Sequence, residues 1–287
     1  MAIVETLEVA SEAAREALTQ PRHRVDLFGC RIDAVRMPEA AARVYELITA
    51  GEDTCNYVVT PNVDHVVMLE HHQGLRRAYD DAGLVLADGM PVVLASRLLG
   101  SPLPERVTGA DLVPAVFDEA ANRGGLRVFL LGAGPGVAEM AAANIARRWP
   151  AVEVSGTYSP PFGFENDAAE NAAILAMIAA SRPDVLVVGL GAPKQELWVH
   201  ANRDAIRART ALCVGATIDF LAGHKRRAPM WMRNCGLEWL HRVATEPRRL
   251  LGRYLRDARR FPSLIWHEWK RRRANVSEPL AAGENHE

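Results

Sequence analysis

The sequence predicts an α/β protein in which a parallel sheet is sandwiched between helices and followed by a basic helical appendage. Three observations carry this. Apolar runs of strand length alternate with helix-length segments from Val25 to Gly223, the pattern of β-α-β units. Polar residues close the runs Tyr57–Val59 and Leu84–Ala87, on the sheet edge where ligands of open α/β sheets sit. Beyond Gly223 the texture changes: residues 225–273 hold fifteen Lys or Arg against four acids, and four of the six tryptophans. The reading is a Rossmann-like core over residues 25–223, between an extension at 1–24, an appendage at 224–273 and a disordered tail at 274–287.

At 287 residues, 49% apolar and 24% charged, the chain has the profile of a globular protein with a substantial core. Its formal net charge of −1 hides an asymmetry, because residues 1–224 carry nineteen basic against twenty-eight acidic side chains. An appendage of the opposite sign points to an anionic partner. The four cysteines show neither CxxC pairing nor metal-ligand spacing, as expected of reduced thiols in the cytosol. The stretch MAIVETLEVASEAAREALTQ is acidic and lacks a basic n-region, unlike a secretory signal, and no apolar run approaches membrane-spanning length.

In chain order, residues 1–22 read as a helical extension ending at Pro21. VDLFGCRIDAV reads as two short strands or a hairpin around Gly29, and a helix follows from Pro38 to Thr49. Tyr57–Val59 is a strand. One helix, capped by Asn62 or Asp64, then presents Val63, Val66, Val67 and Leu69 on its apolar face and is closed or bent near Gly74. Leu84–Ala87 is the next strand, parallel to the first by the right-handed crossover rule, so Thr60, Asn62 and Asp88 share one edge. MPVVLASRLLG is a helix, SPLPERVTGAD a loop and Leu112–Asn122 a helix. Strands at Arg127–Leu131, Val152–Ser155, Asp184–Leu190 and Ala211–Val214 alternate with helices at Val137–Arg148, Asp167–Ala180 and Lys194–Arg207. The appendage reads as two or three short helices broken at Pro229, Gly236, Pro247 and Pro262, with disorder from Asn275 onward.

Four motifs carry candidate chemistry. GAGPG follows a strand and opens a helix, so Gly132 and Gly134 could cradle a phosphate as readily as shape a tight turn. Its spacing is not the dinucleotide fingerprint, because the third glycine would fall at Val137. GLGAPKQELW allows close backbone approach at Gly191 and brings Lys194, Gln195 and Glu196 to the same edge, with Gln195 facing ligand or Lys194 and Glu196 forming a solvated first turn. ERVTGAD offers Arg106 and Asp111 on a loop, where Asp111 serves equally well as a helix cap. Asp88 could be catalytic or simply hold its Asp-Gly turn. His65, His71 and His72 share one exposed helix without an acidic partner at ligand spacing, so no metal site is expected. The arginine-tryptophan composition of the appendage suits nucleic acid, a membrane surface or a packed helical cap.

Taken together, TPN, ADG, ERVTGAD, LLGAGPG, SPPFGF, VGLGAPKQELW, GATIDFLAG, KRRAP and GLEWLHRVATEPRRLLGRY resemble the WecG/TagA/CpsF family of bacterial glycosyltransferases, in family order, from Val25 to Tyr254. The resemblance implies a metal-independent, cofactor-free, inverting enzyme on the cytoplasmic face of the plasma membrane. Such an enzyme moves a sugar from a UDP-sugar to an undecaprenyl-diphosphate-linked saccharide. N-acetylmannosamine, its uronic acid and glucose are all compatible donors. By the same resemblance Asp88 matches the general base, with Thr60 and Asn62 in its pocket and Gln195 a pocket residue. Arg242, Arg249 and Arg253 match arginines of an appendage that closes over the site and approaches an anionic membrane. The chain departs from the family in its first two dozen residues and after Tyr254.

The chemistry suits these residues. Inversion needs one carboxylate to take the acceptor's proton, and positive charge on the departing diphosphate, which arginine forks match well. Two competing readings remain at this level. GAGPG alone supports a nicotinamide-dependent oxidoreductase, and the basic aromatic tail alone supports a nucleic-acid-binding module, although the resemblance implies no nucleic-acid partner. The residues leave a monomer or a homo-oligomer open.

Overall fold

The structure, a computed structural model, describes residues 22–50 and 54–276. The expected helical extension before Pro21 and the tail after Val276 lie outside the described residues.

Six strands form one fully parallel sheet in the order β4-β3-β8-β7-β5-β6. They are β3 (Asn56–Val59), β4 (Leu84–Val85), β5 (Leu126–Gly132), β6 (Val152–Tyr158), β7 (Val185–Gly189) and β8 (Thr210–Cys213). Successive side chains of a strand face opposite sides of a sheet. Here Tyr57, Val59, Phe129, Leu131, Leu186 and Val188 enter one core, while Val58, Val128, Leu130, Val185, Val187 and Leu212 enter the other. Burial on both faces explains why these strands are continuously apolar.

The second core is roofed by α1 (Met37–Thr49), α5 (Gly109–Asp118), α6 (Val137–Arg148) and the short α9 (Thr217–Leu221). Helix α6 shows why its segment is helical. Alanines fill it, Glu139 sits in the first turn and Arg147 and Arg148 in the last, complementing the helix dipole. Its buried residues Val137, Ala138, Ala141 and Ile145 fall on one face. The first core is covered by α2 (Val63–Leu69), α3 (Gln73–Asp80), α4 (Met90–Leu98), α7 (Ala168–Ser181) and α8 (Lys194–Asn202).

The strands β1 (Arg24–Leu27) and β2 (Cys30–Asp33) form an antiparallel hairpin turning at Phe28–Gly29. It protects the sheet edge at β4. Buried Asp33 accepts from the Val85 backbone N–H at 2.8 Å and pairs with Arg22 and Arg24, each at 3.0 Å.

The appendage consists of α10 (Met230–Asn234), α11 (Glu238–Thr245) and α12 (Pro247–Val276). The expected interruptions at Pro229, Gly236 and Pro247 coincide with helix ends. The expected break at Pro262 does not occur, and α12 runs through it for 30 residues, so Asn275 and Val276 are helical. Proline costs the helix one hydrogen bond. Tertiary anchors on both sides outweigh that loss. Phe261 is buried in the first core with Leu264, Ile265 and Trp269 packed beside it. Arg260 pairs with Glu70, and Arg272 donates to the Leu99 carbonyl at 3.0 Å and to Ser101 Oγ at 2.6 Å.

Further boundaries differ from the sequence reading, among them β6, which runs to Tyr158 rather than Ser155, and β4, which ends at Val85 rather than Ala87. The single helix after Asn62 is two, because His72 caps a new start by accepting from the Leu75 N–H at 3.0 Å. Helix α8 stops at Asn202 rather than Arg207, and the helix expected from Leu112 to Asn122 begins at Gly109 and ends at Asp118 before a 3₁₀ turn.

Candidate active site

The strand-end loops after β3 and β4 are tied together before any side chain is considered. The Asp88 N–H donates to the Pro61 carbonyl at 2.8 Å, and the Val107 N–H to the Ala87 carbonyl at 2.9 Å. Asn62 caps α2, its Oδ1 accepting from the N–H groups of Asp64 at 3.0 Å and His65 at 3.4 Å. With Oδ1 so occupied, its Nδ2 group has no partner among the described residues. Asn62 also packs within 4 Å of the space beside Gly89, so the two loops form one floor.

Above that floor lies a cavity of about 280 Å³. The core contributes Asn62, Val63, Asp64, Asp88, Met90, Pro91 and Arg106. The appendage supplies the facing wall: Glu238, Trp239 and Arg242 from α11, and Arg253, Tyr254, Asp257 and Phe261 from α12. Gly236 brings the appendage onto this floor. A Cβ there would meet Met90 Cβ at 2.7 Å, so a larger residue would lift α11 away.

Ion pairs hold the wall in place. Glu238 faces Arg106 at 3.2 Å and Arg227 and Arg242 at 3.6 Å. Asp64 faces Arg253 at 3.4 Å and Arg256 at 2.5 Å. Asp111 accepts from Arg227 at 2.7 Å and from Arg233 at 2.5 Å. Burial alone would raise the Asp111 carboxyl, yet its hydrogen bonds to Arg227 and Thr108 and the two guanidinium charges hold it below the usual value.

Asp88 differs from the other acids of the cavity. No side-chain hydrogen bond or ion pair engages its carboxylate among the described residues. Burial pushes its pKa up to about 6, against the lowering pull of Arg242, Arg106 and His65 and with a raising contribution from Glu238. The group therefore changes charge close to neutrality, as a general base should. Asp257 is also raised, by burial and by the charge of Asp64, but it sits in the appendage wall beside Arg256.

This arrangement of strand ends, loops and appendage extends along nearly the whole chain, and residues 25–275 match the model of the Glycosyl transferase WecG/TagA/CpsF family. The chain belongs to the WecG/TagA/CpsF family. The match runs past Tyr254, so most of α12 lies inside the family pattern rather than departing from it. Among its relatives is the N-acetylglucosaminyldiphosphoundecaprenol N-acetyl-beta-D-mannosaminyltransferase of Bacillus spizizenii, 33% identical over 193 residues covering 67% of this chain and 72% of that protein. A protein of the same name in Staphylococcus aureus (strain MRSA252) is 29% identical over 228 residues, covering 79% of this chain and 87% of that protein. As a WecG/TagA/CpsF member the protein is a glycosyltransferase.

Of the residues singled out in the sequence, Asp88, Asn62, Arg106, Arg242 and Arg253 come together in the cavity. Others stand elsewhere. Thr60 is buried between strands, its Oγ1 donating to the Cys213 carbonyl at 3.4 Å. Gln195 is turned inward, accepting from the Gly215 N–H at 3.2 Å and donating to Glu196 at 2.8 Å. Arg249 is exposed and pairs with Glu246 at 2.6 Å. Lys194 pairs with Glu165 at 2.8 Å beside the Phe162 ring. Gly132 lies where β5 and β7 almost touch: a Cβ there would meet the Gly189 carbonyl carbon at 2.6 Å. Ser159 Oγ donates to the carbonyls of Gly132 and Gly134, each at 3.2 Å, and neither these glycines nor Gly191 lines the cavity.

The sequence reading gives no place in the site to Asp64, Glu238 and Asp257, or to the aromatic wall of Trp239, Tyr254 and Phe261. A signal for them existed. Glu238 and Asp257 are two of only four acids in a strongly basic segment, each four residues from an arginine of the wall. His65, expected on an exposed helix, is buried and faces Glu196 at 3.4 Å. His72 is occupied in capping α3, and His71 lies beside Glu70 at 3.5 Å. Among the described residues no group of three or more His, Cys, Asp or Glu gathers as metal ligands, and no helix is long and apolar enough to cross a membrane.

Proposed function

We propose that this glycosyltransferase is an inverting enzyme that moves N-acetylmannosamine from its UDP-sugar to a polyprenyl-diphosphate-linked N-acetylglucosamine, with Asp88 as the base. One observation carries the reading: an unpaired carboxylate poised near pH 6 shares its cavity with Arg106, Arg242 and Arg253. The names of the two relatives, both N-acetylmannosaminyltransferases acting on N-acetylglucosaminyldiphosphoundecaprenol, favour this donor sugar and acceptor over the uronic acid or glucose alternatives.

In the reaction, the acceptor hydroxyl loses its proton to the Asp88 carboxylate as its oxygen attacks the anomeric carbon. The bond from that carbon to the diphosphate oxygen breaks on the opposite face, and UDP leaves with the electron pair. The guanidinium groups of Arg106, Arg242 and Arg253 offset the charge that develops on the diphosphate. Asn62 Nδ2 offers a donor to hold a sugar hydroxyl or carbonyl beside the base.

A lipid-linked acceptor requires the enzyme to work at a membrane surface, which in this reading is the inner face of the plasma membrane. Exposed Leu251, Leu255 and Trp266 recur at intervals of four and eleven along α12, which sets them on one stripe beside Arg248, Arg259 and Lys270. Apolar residues flanked by arginines suit an anionic bilayer interface.

A panel of UDP-sugars offered with a short-chain polyprenyl-diphosphate N-acetylglucosamine acceptor, with and without EDTA, tests the reading. Transfer from UDP-N-acetylmannosamine that survives EDTA is expected. No transfer from any UDP-sugar would overturn it.

A further inference from the structure

Beneath the cavity floor lies a second layer of buried polar groups for which the transfer reaction, as drawn above, has no use. Glu196 is wholly shielded from solvent, His65 and Gln195 nearly so, and Tyr79 closes the cluster with its ring 6.3 Å from that of His65. Glu196 Oε2, His65 Nε2 and the Tyr79 hydroxyl have no hydrogen-bond partner among the described residues. Burying a carboxylate this completely is expensive, and packed apolar side chains could fill the same volume without the cost. The placement of the cluster suggests what offsets it. His65 reaches from Glu196 on one side to Asn62, at the cavity floor, on the other.

The hydrogen positions on His65 follow from its neighbours. Nδ1 lies 2.9 Å from Asn62 Oδ1, and the Asn62 backbone N–H points at it from 3.3 Å, the capping-box contact that a bare Nδ1 would accept. Oδ1 is fixed as an acceptor by two backbone N–H groups, so the shorter contact is favourable only when Nδ1 carries a proton. Nε2 lies 3.4 Å from Glu196 Oε1, and a bare lone pair facing a carboxylate would be repelled. The shorter Nδ1 contact and the facing Glu196 carboxylate favour a doubly protonated ring, while the longer contact from the Asn62 N–H favours a neutral one. Gln195 Nε2, donating to the same Glu196 oxygen at 2.8 Å, holds that carboxyl in place.

We propose that His65 is a positioning residue: clamped as an imidazolium between Glu196 and Asn62, it fixes the Asn62 carboxamide in the cavity and places a positive charge beneath Asp88. This rests on the reading of Asp88 as the base. The surrounding charges are consistent with it. Burial alone would lower the His65 pKa, but the contact and charge of Glu196, with smaller contributions from Asp64 and Asp88, raise it above the ordinary value. Asp88 in turn faces Arg242 and Glu238 from α11, Arg106 from the loop after α4 and His65 from α2. Arg253 and Arg256 of α12 already engage Asp64, which leaves Glu196 as the principal counter-ion of the imidazolium. Glu196 thus acts on the base through His65.

Glu196→Gln keeps the shape of the pair and removes its charge, and His65→Gln removes the imidazolium. In both variants the acidic limb of the kcat/KM profile should move to higher pH by roughly half to one unit, because Asp88 loses an opposite charge. A limb that stays in place while kcat merely falls would show a structural role only and overturn the proposal. Nitrogen NMR of the histidine rings gives a second readout that needs no turnover. At pH 7.5 His65 should carry two ring protons in the wild type and one in Glu196→Gln. Asp88→Asn should lower the His65 titration midpoint, since the coupling of two sites is reciprocal. A neutral His65 in the wild type, or a midpoint indifferent to Asp88→Asn, would overturn the proposal. If the wild type transfers no sugar, the proposed function fails separately and the NMR result still decides the charge of His65.

Discussion

Replacing Asp88 with Asn should make the protein more stable at neutral pH while removing its base. The folded protein keeps the Asp88 proton up to about pH 6, whereas an unfolded chain releases it near about 3.9. Between those values the folded state binds more protons. Stability therefore falls as pH rises through this window, and the full cost persists above it. Each pH unit of the interval is worth about 1.4 kcal/mol, which sets an upper bound of about 3 kcal/mol. Asp88 keeps a face on the cavity, where water screens it, so about 1–3 kcal/mol is the expected gain for Asn, which has the same shape and no charge. In a chain of this length that gain raises Tm by roughly 2–10 °C. Thermal melts of both proteins from pH 4 to pH 8 measure it. The gap should be small near pH 4 and open between pH 5 and pH 7. A gap that is absent, reversed or constant across the range would refute the account of Asp88 as a carboxylate held in an unfavourable environment.

Three other outcomes are expected. Gly132→Ala sets a methyl group against the Gly189 backbone, at a site with a positive φ of 116°, and should cost about 3 kcal/mol or more in denaturant unfolding. Arg253→Ala should lower kcat/KM by at least about tenfold, since the side chain lines the cavity, while Arg249→Ala, exposed and paired with Glu246, should change it less than about threefold. Replacing Leu251, Leu255 and Trp266 together with Ser should weaken co-sedimentation with anionic vesicles by about an order of magnitude, without changing turnover on a soluble acceptor analogue.

Much of the fold was legible in the sequence because the sheet is buried on both faces. Runs such as Val185–Gly189 have to be apolar throughout, and the helices between them carry their own caps, as Asp167 does for α7. The floor of the site was legible for a related reason. Two polar strand ends in a β-α-β unit lie side by side whatever the rest of the chain does, which is why Asn62 and Asp88 meet. Strand order was not legible, and it decides the place of Thr60. With β8 inserted beside β3, the Thr60 hydroxyl finds the Cys213 carbonyl instead of the cavity. The inward turn of Gln195 is not legible either, because it depends on the next residue being a buried carboxyl that takes its amide as donor. In the appendage, proline read locally breaks a helix. Only the anchors from α12 to distant Glu70, Leu99 and Ser101 show why Pro262 does not. The acids of the cavity wall went unremarked because composition averages them into a basic segment, whereas the structure gives Glu238 three arginine neighbours at once.

The most direct test of the central claim is single-turnover transfer from UDP-N-acetylmannosamine to a polyprenyl-diphosphate N-acetylglucosamine acceptor by wild type and Asp88→Asn, at pH 7.5 and with both substrates saturating. Loss of the base predicts a fall in rate of about two to four orders of magnitude with substrate binding retained. A rate within a few-fold of wild type would remove Asp88 from the reaction and contradict the account.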